Sequence, residues 1–140
     1  VIEPQDILEE LDRIEYKLQP MDIVLFNTKA SEFYGKDGYL EHGIGMGKDA
    51  TLFLTRDNGI RVTGIDAWGW DAPFFLAKEQ YAKDGDALKV WQGHWAGIEQ
   101  PYCHMEKLLN LEKLPACGGL FCPLCARLWW PVVFWFSWML

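Results

Sequence analysis

The sequence predicts an α/β domain in which helices pack against a small sheet, with α+β ordering as the alternative. Three observations support this. An amphipathic helical pattern opens the chain, two short apolar runs at 22–26 and 60–66 read as strands, and helical patterns stand between and after them. Helix, strand, loop, helix, strand is the order of a sheet covered by helices. The 140 residues suffice for one domain with a real core.

The first element is expected over residues 4–18. Ile7, Leu11, Ile14 and Leu18 fall on one face, with Glu9, Glu10, Asp12 and Arg13 mostly off it. Pro4 suits a first turn, Asp6 suits the positive end of the helix dipole, and Pro20 stops the helix. Residues 22–26, Asp-Ile-Val-Leu-Phe, form a continuous apolar run bounded by turn signals, which predicts a strand buried on both faces. A glycine- and aromatic-rich loop covers 27–47, long enough to suggest a functional role. A helix is expected over 48–57, ended by Asn58-Gly59. Residues 60–66 alternate as a strand ending in Asp66, and a further helix is expected over 74–83, closed by Asp84-Gly85-Asp86.

The character of the chain changes after Ala116. Residues 117–140 hold three of the four cysteines and four of the eight tryptophans, and Arg127 is their one charge. We therefore divide the chain into a domain at 1–116 and a divergent Cys/Trp-rich tail at 117–140, for which a shifted reading frame near Ala116 is one explanation. Cys122-Pro-Leu-Cys125 is a C-x-x-C pair, but a structural zinc would have to add Cys117 and either Cys103 or His104 at loose spacing. The apolar run 128–140 is shorter than the roughly 20 residues a membrane span needs, so an exposed, sticky end is the expectation rather than an anchor.

The formal charge of −7, with thirteen scattered basic residues, excludes a nucleic-acid binder. The chain opens without a basic start or an apolar leader, and its cysteines suggest no disulfide scaffold, so a cytoplasmic protein is expected.

Chemistry concentrates in the stretch 90–106, Val-Trp-Gln-Gly-His-Trp-Ala-Gly-Ile-Glu-Gln-Pro-Tyr-Cys-His-Met-Glu. It sets the imidazole of His94 twelve residues before the carboxylate of Glu106, the ligand types that zinc or manganese accepts. Four segments, in order, resemble the cyclase-type metal-dependent hydrolases, the family of bacterial kynurenine formamidase. They are 18–28 with its Gln-Pro turn and apolar strand, 45–54 (Gly-Met-Gly-Lys-Asp-Ala-Thr-Leu-Phe-Leu), 58–74 with Trp70-Asp71-Ala72-Pro73, and 94–106 with its follow-on to Pro115. The family's metal motif, His-x-Gly-Thr-His-x-Asp-Ala-Pro-x-His, is not in this sequence. No histidine stands between Gly43 and Gly93, so Trp70-Asp71-Ala72-Pro73 echoes that motif without being it. Asp71 reads as a loop or helix-capping residue. Asp66 reads as the start of a turn, with a place facing the pocket as the alternative.

The resemblance implies an incomplete metal-dependent amidohydrolase. It would hydrolyse a small aromatic amide such as N-formylkynurenine, with zinc or manganese as cofactor and His94 and Glu106 as metal ligands and catalytic residues. Alternatives are a lactone or cyclic-amide (isatin-type) hydrolase of the same family, or a non-catalytic fragment acting as an interaction domain. Each residue also has a plainer reading. His94 could be a core histidine satisfied by a carbonyl, and Glu106 half of a surface pair with Lys107. His104 lies two residues before Glu106, hence on the same side of a strand, where it could contact substrate or simply pack. Trp68 and Trp95 are candidates to stack on an aromatic substrate, as are Trp70 and Trp91, with core packing as the default. His42, in the glycine-rich loop, lines a pocket or is merely solvated. Sheet edges left open by a partial domain favour a homo-oligomer.

Overall fold

The structure, a computed structural model, describes residues 1–118. Residues 119–140 of the divergent tail, with its C-x-x-C pair and the apolar run at 128–140, lie outside the described residues.

The chain begins with α1 (Pro4–Arg13). Pro4 stands in its first turn, and the Glu3 backbone N–H donates to Asp6 Oδ2 at 2.7 Å, satisfying an otherwise orphaned donor. The helix is a turn shorter than the periodicity to Leu18 predicts. It closes in a Schellman turn, with Tyr16 N–H donating to Leu11 O at 2.9 Å and Glu15 N–H to Asp12 O at 3.1 Å. Glu15 takes the left-handed backbone that glycine usually supplies there (φ 53°). Ile7 is buried, and Leu11 and Leu18 pack against the core from inside and beyond the helix.

Strand β1 (Ile23–Phe26) leads into the long loop, which contains a 3-10 turn at Ala30–Phe33. Helix α2 (Lys48–Leu52) widens into a π turn at Phe53–Asp57, and Gly59, at φ +71°, ends it where Asn58-Gly59 predicts. Thr51 and Thr55 bond back to the carbonyls of Gly47 and Thr51, which accounts for threonines buried on this segment. Strand β2 (Val62–Ile65) follows, then α3 (Phe74–Asp84), stopped at Gly85 as its sequence predicts. A helix that the sequence reading did not anticipate, α4 (Gln92–Glu99), precedes β3 (Cys103–Met105).

The three strands lie in the order β1-β2-β3 and all pairings are parallel, with Ile23 opposite Val62, and Val62 opposite Cys103. The fold is α/β, as predicted. The central strand is the buried one: Thr63, Gly64 and Ile65 are closed off from solvent. β1 corrects the expectation of burial on both faces. It pairs only with β2 among the described residues, Ile23 is exposed, and Val24, Leu25 and Phe26 are half-buried. Its apolar run marks an edge in this chain.

Met46, Ala50, Leu54, Ile60, Ile65 and Trp70 form the fully buried centre. Met46 is drawn in by three backbone bonds: Ile2 N–H donates to Gly45 O at 2.8 Å, Gly47 N–H to Ile2 O at 2.9 Å, and Met46 N–H to the Trp70 carbonyl at 2.7 Å. α2 packs on α4, and Lys48 pairs with Glu99 across that contact.

Candidate metal centre

In a parallel sheet the loops leaving the strands' C-terminal ends gather at one edge, where α/β proteins build their sites. Here the turn 66–71 leaves β2 and Glu106 leaves β3, while His94 arrives on the first turn of α4. The result is a cluster. Donor atoms of His94, His104 and Glu106 lie within 4.8 Å of one another.

Trp70 is the hub that positions them. Its backbone N–H donates to Glu106 Oε1 at 2.8 Å, and its indole stacks on the His104 ring at 5.5 Å and 21°. Its indole N–H reaches Thr51 Oγ1 at 3.3 Å, which ties the cluster to α2. The neighbouring Asp71 fixes His94: one carboxylate oxygen accepts the Gly93 backbone N–H at 2.5 Å, and the other contacts His94 Nδ1. Asp71 is therefore a capping residue, as the sequence reading holds, but it caps α4 from a distant turn and also orients the imidazole. Gly93 has no room for a side chain, since a Cβ there would meet the Trp70 ring at 2.5 Å. His94 and His104 stand edge to face, 5.0 Å apart.

Electrostatics sharpen the arrangement. Burial raises the Glu106 pKa, but the His104 ring at 3.3 Å, the Trp70 N–H and the Lys107 ammonium at 3.4 Å outweigh it and hold the carboxyl down at about 2. Glu106 is thus anionic at any physiological pH. The hydrogen bond that His94 donates to the Asp71 carboxylate raises the His94 pKa, partly opposed by burial, with the charges of Asp71 and Glu106 adding to the rise. Burial, then the negative charges of Asp71 and Glu106, push the Tyr102 phenol well up, so its hydroxyl stays protonated and donates to Gly93 O at 2.9 Å.

The other predicted residues divide. Trp68 is exposed, with the Lys107 ammonium 4.8 Å above its ring, and lines an open groove of about 470 Å³ with Tyr34, Tyr39 and Leu40. Trp95 is exposed and donates its indole N–H to Val90 O, away from that groove. His42 stacks on Phe33 at 3.6 Å and bonds the Gly38 carbonyl, so it fastens its own loop. Asp66 departs from a simple turn start: it is fully buried and accepts from Thr28 N–H, Thr28 Oγ1 and Ser31 N–H, holding the loop after β1. Asp71 and Trp70 are the positioning residues the sequence reading did not assign to the cluster. Asp71's partner lies 23 residues further on, and nothing local announces it.

Two imidazoles and a carboxylate at the C-terminal edge of a parallel sheet define an α/β protein with a donor set of the catalytic-zinc type. The Cyclase family model matches residues 1–72, and the chain belongs to that family. Among solved structures it is similar to isatin hydrolase A from Labrenzia aggregata bound to benzyl benzoate, with a TM-score of 0.65 and 20% identity. That match covers 84% of this chain and 44% of the hydrolase, so the chain spans less than half of its length. No curated protein matches. The family match ends before His94, His104 and Glu106, whose arrangement is read from the fold itself.

The donors fit a divalent cation. Asp71 occupies His94 Nδ1 and so leaves Nε2 as the ligating nitrogen, the usual arrangement of a carboxylate behind a metal-binding histidine. Glu106 is already ionised, as a ligand must be. No helix among the described residues is long and apolar enough to cross a membrane.

Proposed function

We propose that this chain is the C-terminal part of a metal-dependent hydrolase that cleaves the carbonyl–nitrogen bond of a small aromatic amide, with N-formylkynurenine as the first substrate to test. The observation that carries the proposal is the convergence of His94, His104 and Glu106 at the sheet's C-terminal edge. His94 and Glu106 would hold zinc or manganese at this edge. Such a cation, when bound, polarises a carbonyl and acidifies water. The chain's own residues orient and charge the site: Asp71 fixes the His94 ring, Trp70 N–H steers Glu106, and the Tyr102 hydroxyl remains a donor. The groove under Trp68 and Lys107 borders Glu106 in sequence and offers an aromatic face beside a cation, which suits an aromatic substrate bearing negative charge.

The likeness to isatin hydrolase A favours a second reading, opening of a cyclic amide or lactone by the same site. A homo-oligomer is proposed with either reading, because β1 and β3 each lack an outer partner among the described residues. Reading the source gene beyond both ends of this chain, then assaying the product with zinc or manganese on formylkynurenine, isatin and a lactone, tests the proposal. Turnover of isatin alone would replace the amide reading with the second. Turnover of none, in a protein containing the His-x-Gly-Thr-His motif, would leave the chain an interaction domain.

A further inference from the structure

In the resemblance, His94 and Glu106 need partners from a motif that this sequence does not contain, yet the described residues supply a third donor. His104 sits on β3 opposite Thr63, on the same side of the strand as Glu106. Its side chain is only 10% exposed, where an apolar residue would be the cheaper occupant. The ring is clamped on Trp70, and its polar contact among the described residues is Nε2 to Glu106 Oε1 at 3.3 Å. The His94 ring stands 5.0 Å away, already held from behind by Asp71. Two imidazoles and one carboxylate, oriented by a carboxylate and a backbone N–H, match three protein ligands with a position left open.

We infer that His104 is the third ligand of a divalent-cation site built wholly from this chain, with His94 and Glu106 as the others. The inference rests on the metal reading of the cluster, and it adds that the 140-residue chain binds a cation without the upstream motif. Zinc is the probe, since nitrogen and carboxylate donors in this ratio suit it.

The test titrates the metal-free 140-residue chain with zinc against a chromophoric chelator, and in parallel with cobalt, followed by its visible d–d absorption. One equivalent should bind. His104→Phe keeps a ring on Trp70 and removes the nitrogen. It should weaken zinc by roughly 100-fold or more and change the cobalt spectrum, while its metal-free circular dichroism stays that of the wild type. His104→Ala, which removes ring and nitrogen together, should lose the same binding; a loss in His104→Ala with wild-type binding in His104→Phe would mean that the ring acts by stacking on Trp70 and would overturn the ligand role. Wild-type affinity and spectrum in His104→Phe, with binding lost in His94→Ala, would overturn the role of His104 and leave the His94–Glu106 pair in place. No zinc binding by the wild-type chain would overturn the self-contained site. The hydrolase reading would still be decided by turnover in the longer protein.

Discussion

Gly45 is where fold and site are most tightly joined, and Gly45→Ala tests that junction. A Cβ there would fall well inside contact distance of the peptide joining Asp71 and Ala72. Ordinary carbon contacts lie near 3.5–4.0 Å, so the two segments must part by about 1 Å or more. The neighbour is backbone, and the Met46 N–H to Trp70 carbonyl bond (2.7 Å) holds the same two segments together. Overpacking of this kind costs about 1–3 kcal/mol. Shifting Asp71 also strains its charged hydrogen bond to Gly93 N–H and its contact with His94, worth about 1.5–3 kcal/mol more. A total near 4 kcal/mol is a large part of the roughly 5–15 kcal/mol that holds a domain folded. Urea unfolding would measure it, with Gly35→Ala as the control. Gly35 has φ +76° and nothing within 4 Å of an added Cβ, so that change costs only the left-handed backbone term, about 1 kcal/mol. If Gly45→Ala costs no more than Gly35→Ala, the close approach described above is not a constraint on the fold.

Three further outcomes follow from the same contacts. Asp71→Asn removes the main cause of the raised His94 pKa, so the His94 titration midpoint, followed by NMR of its ring proton, should fall; an unchanged midpoint would separate Asp71 from His94 in solution. Glu106, held down to about 2, contributes stability that is fully present above its unfolded value near 4.5 and lost as pH falls toward 2. That contribution is on the order of 3 kcal/mol, so the gap in urea midpoint between wild type and Glu106→Gln should be wide at pH 6.5 and shrink by pH 3. Trp70→Phe keeps the backbone bond to Glu106 but loses indole volume and the bond to Thr51, and should cost about 2–3 kcal/mol in unfolding free energy; less than 1 kcal/mol would mean the indole is not packed as described.

Elements whose signals are local were legible in the sequence. α3 runs as far as Gly85 permits, and β2 falls within the alternating run that ends at Asp66. Where the stop is unusual, the reading overran: Glu15, not a glycine, takes the left-handed turn after α1. α4 was hidden because Gly93 and Gly97 weaken a helical reading and the carboxylate that caps it lies on another loop. His94 and Glu106 were visible through the family resemblance, and the two-residue spacing of His104 and Glu106 placed them on one side of a strand. Their convergence with Asp71 and Trp70 depends on parallel pairing and a crossover helix, which no local pattern encodes.

Those parallel pairings also bear on the order of events as the chain folds. Val62 pairs with Ile23, 39 positions earlier, and with Cys103, 41 positions later, so neither contact can begin as a hairpin. Two long crossovers must close before their contacts compensate the lost chain entropy, which places folding toward the slow end for a domain of this size. His104 and Glu106 meet Trp70 only when the second crossover has closed, and His94 meets Asp71 within that same crossover. Stopped-flow refolding observed through the His94–His104–Glu106 cluster would therefore report arrival at the native state, with no earlier phase in which the cluster exists without the sheet.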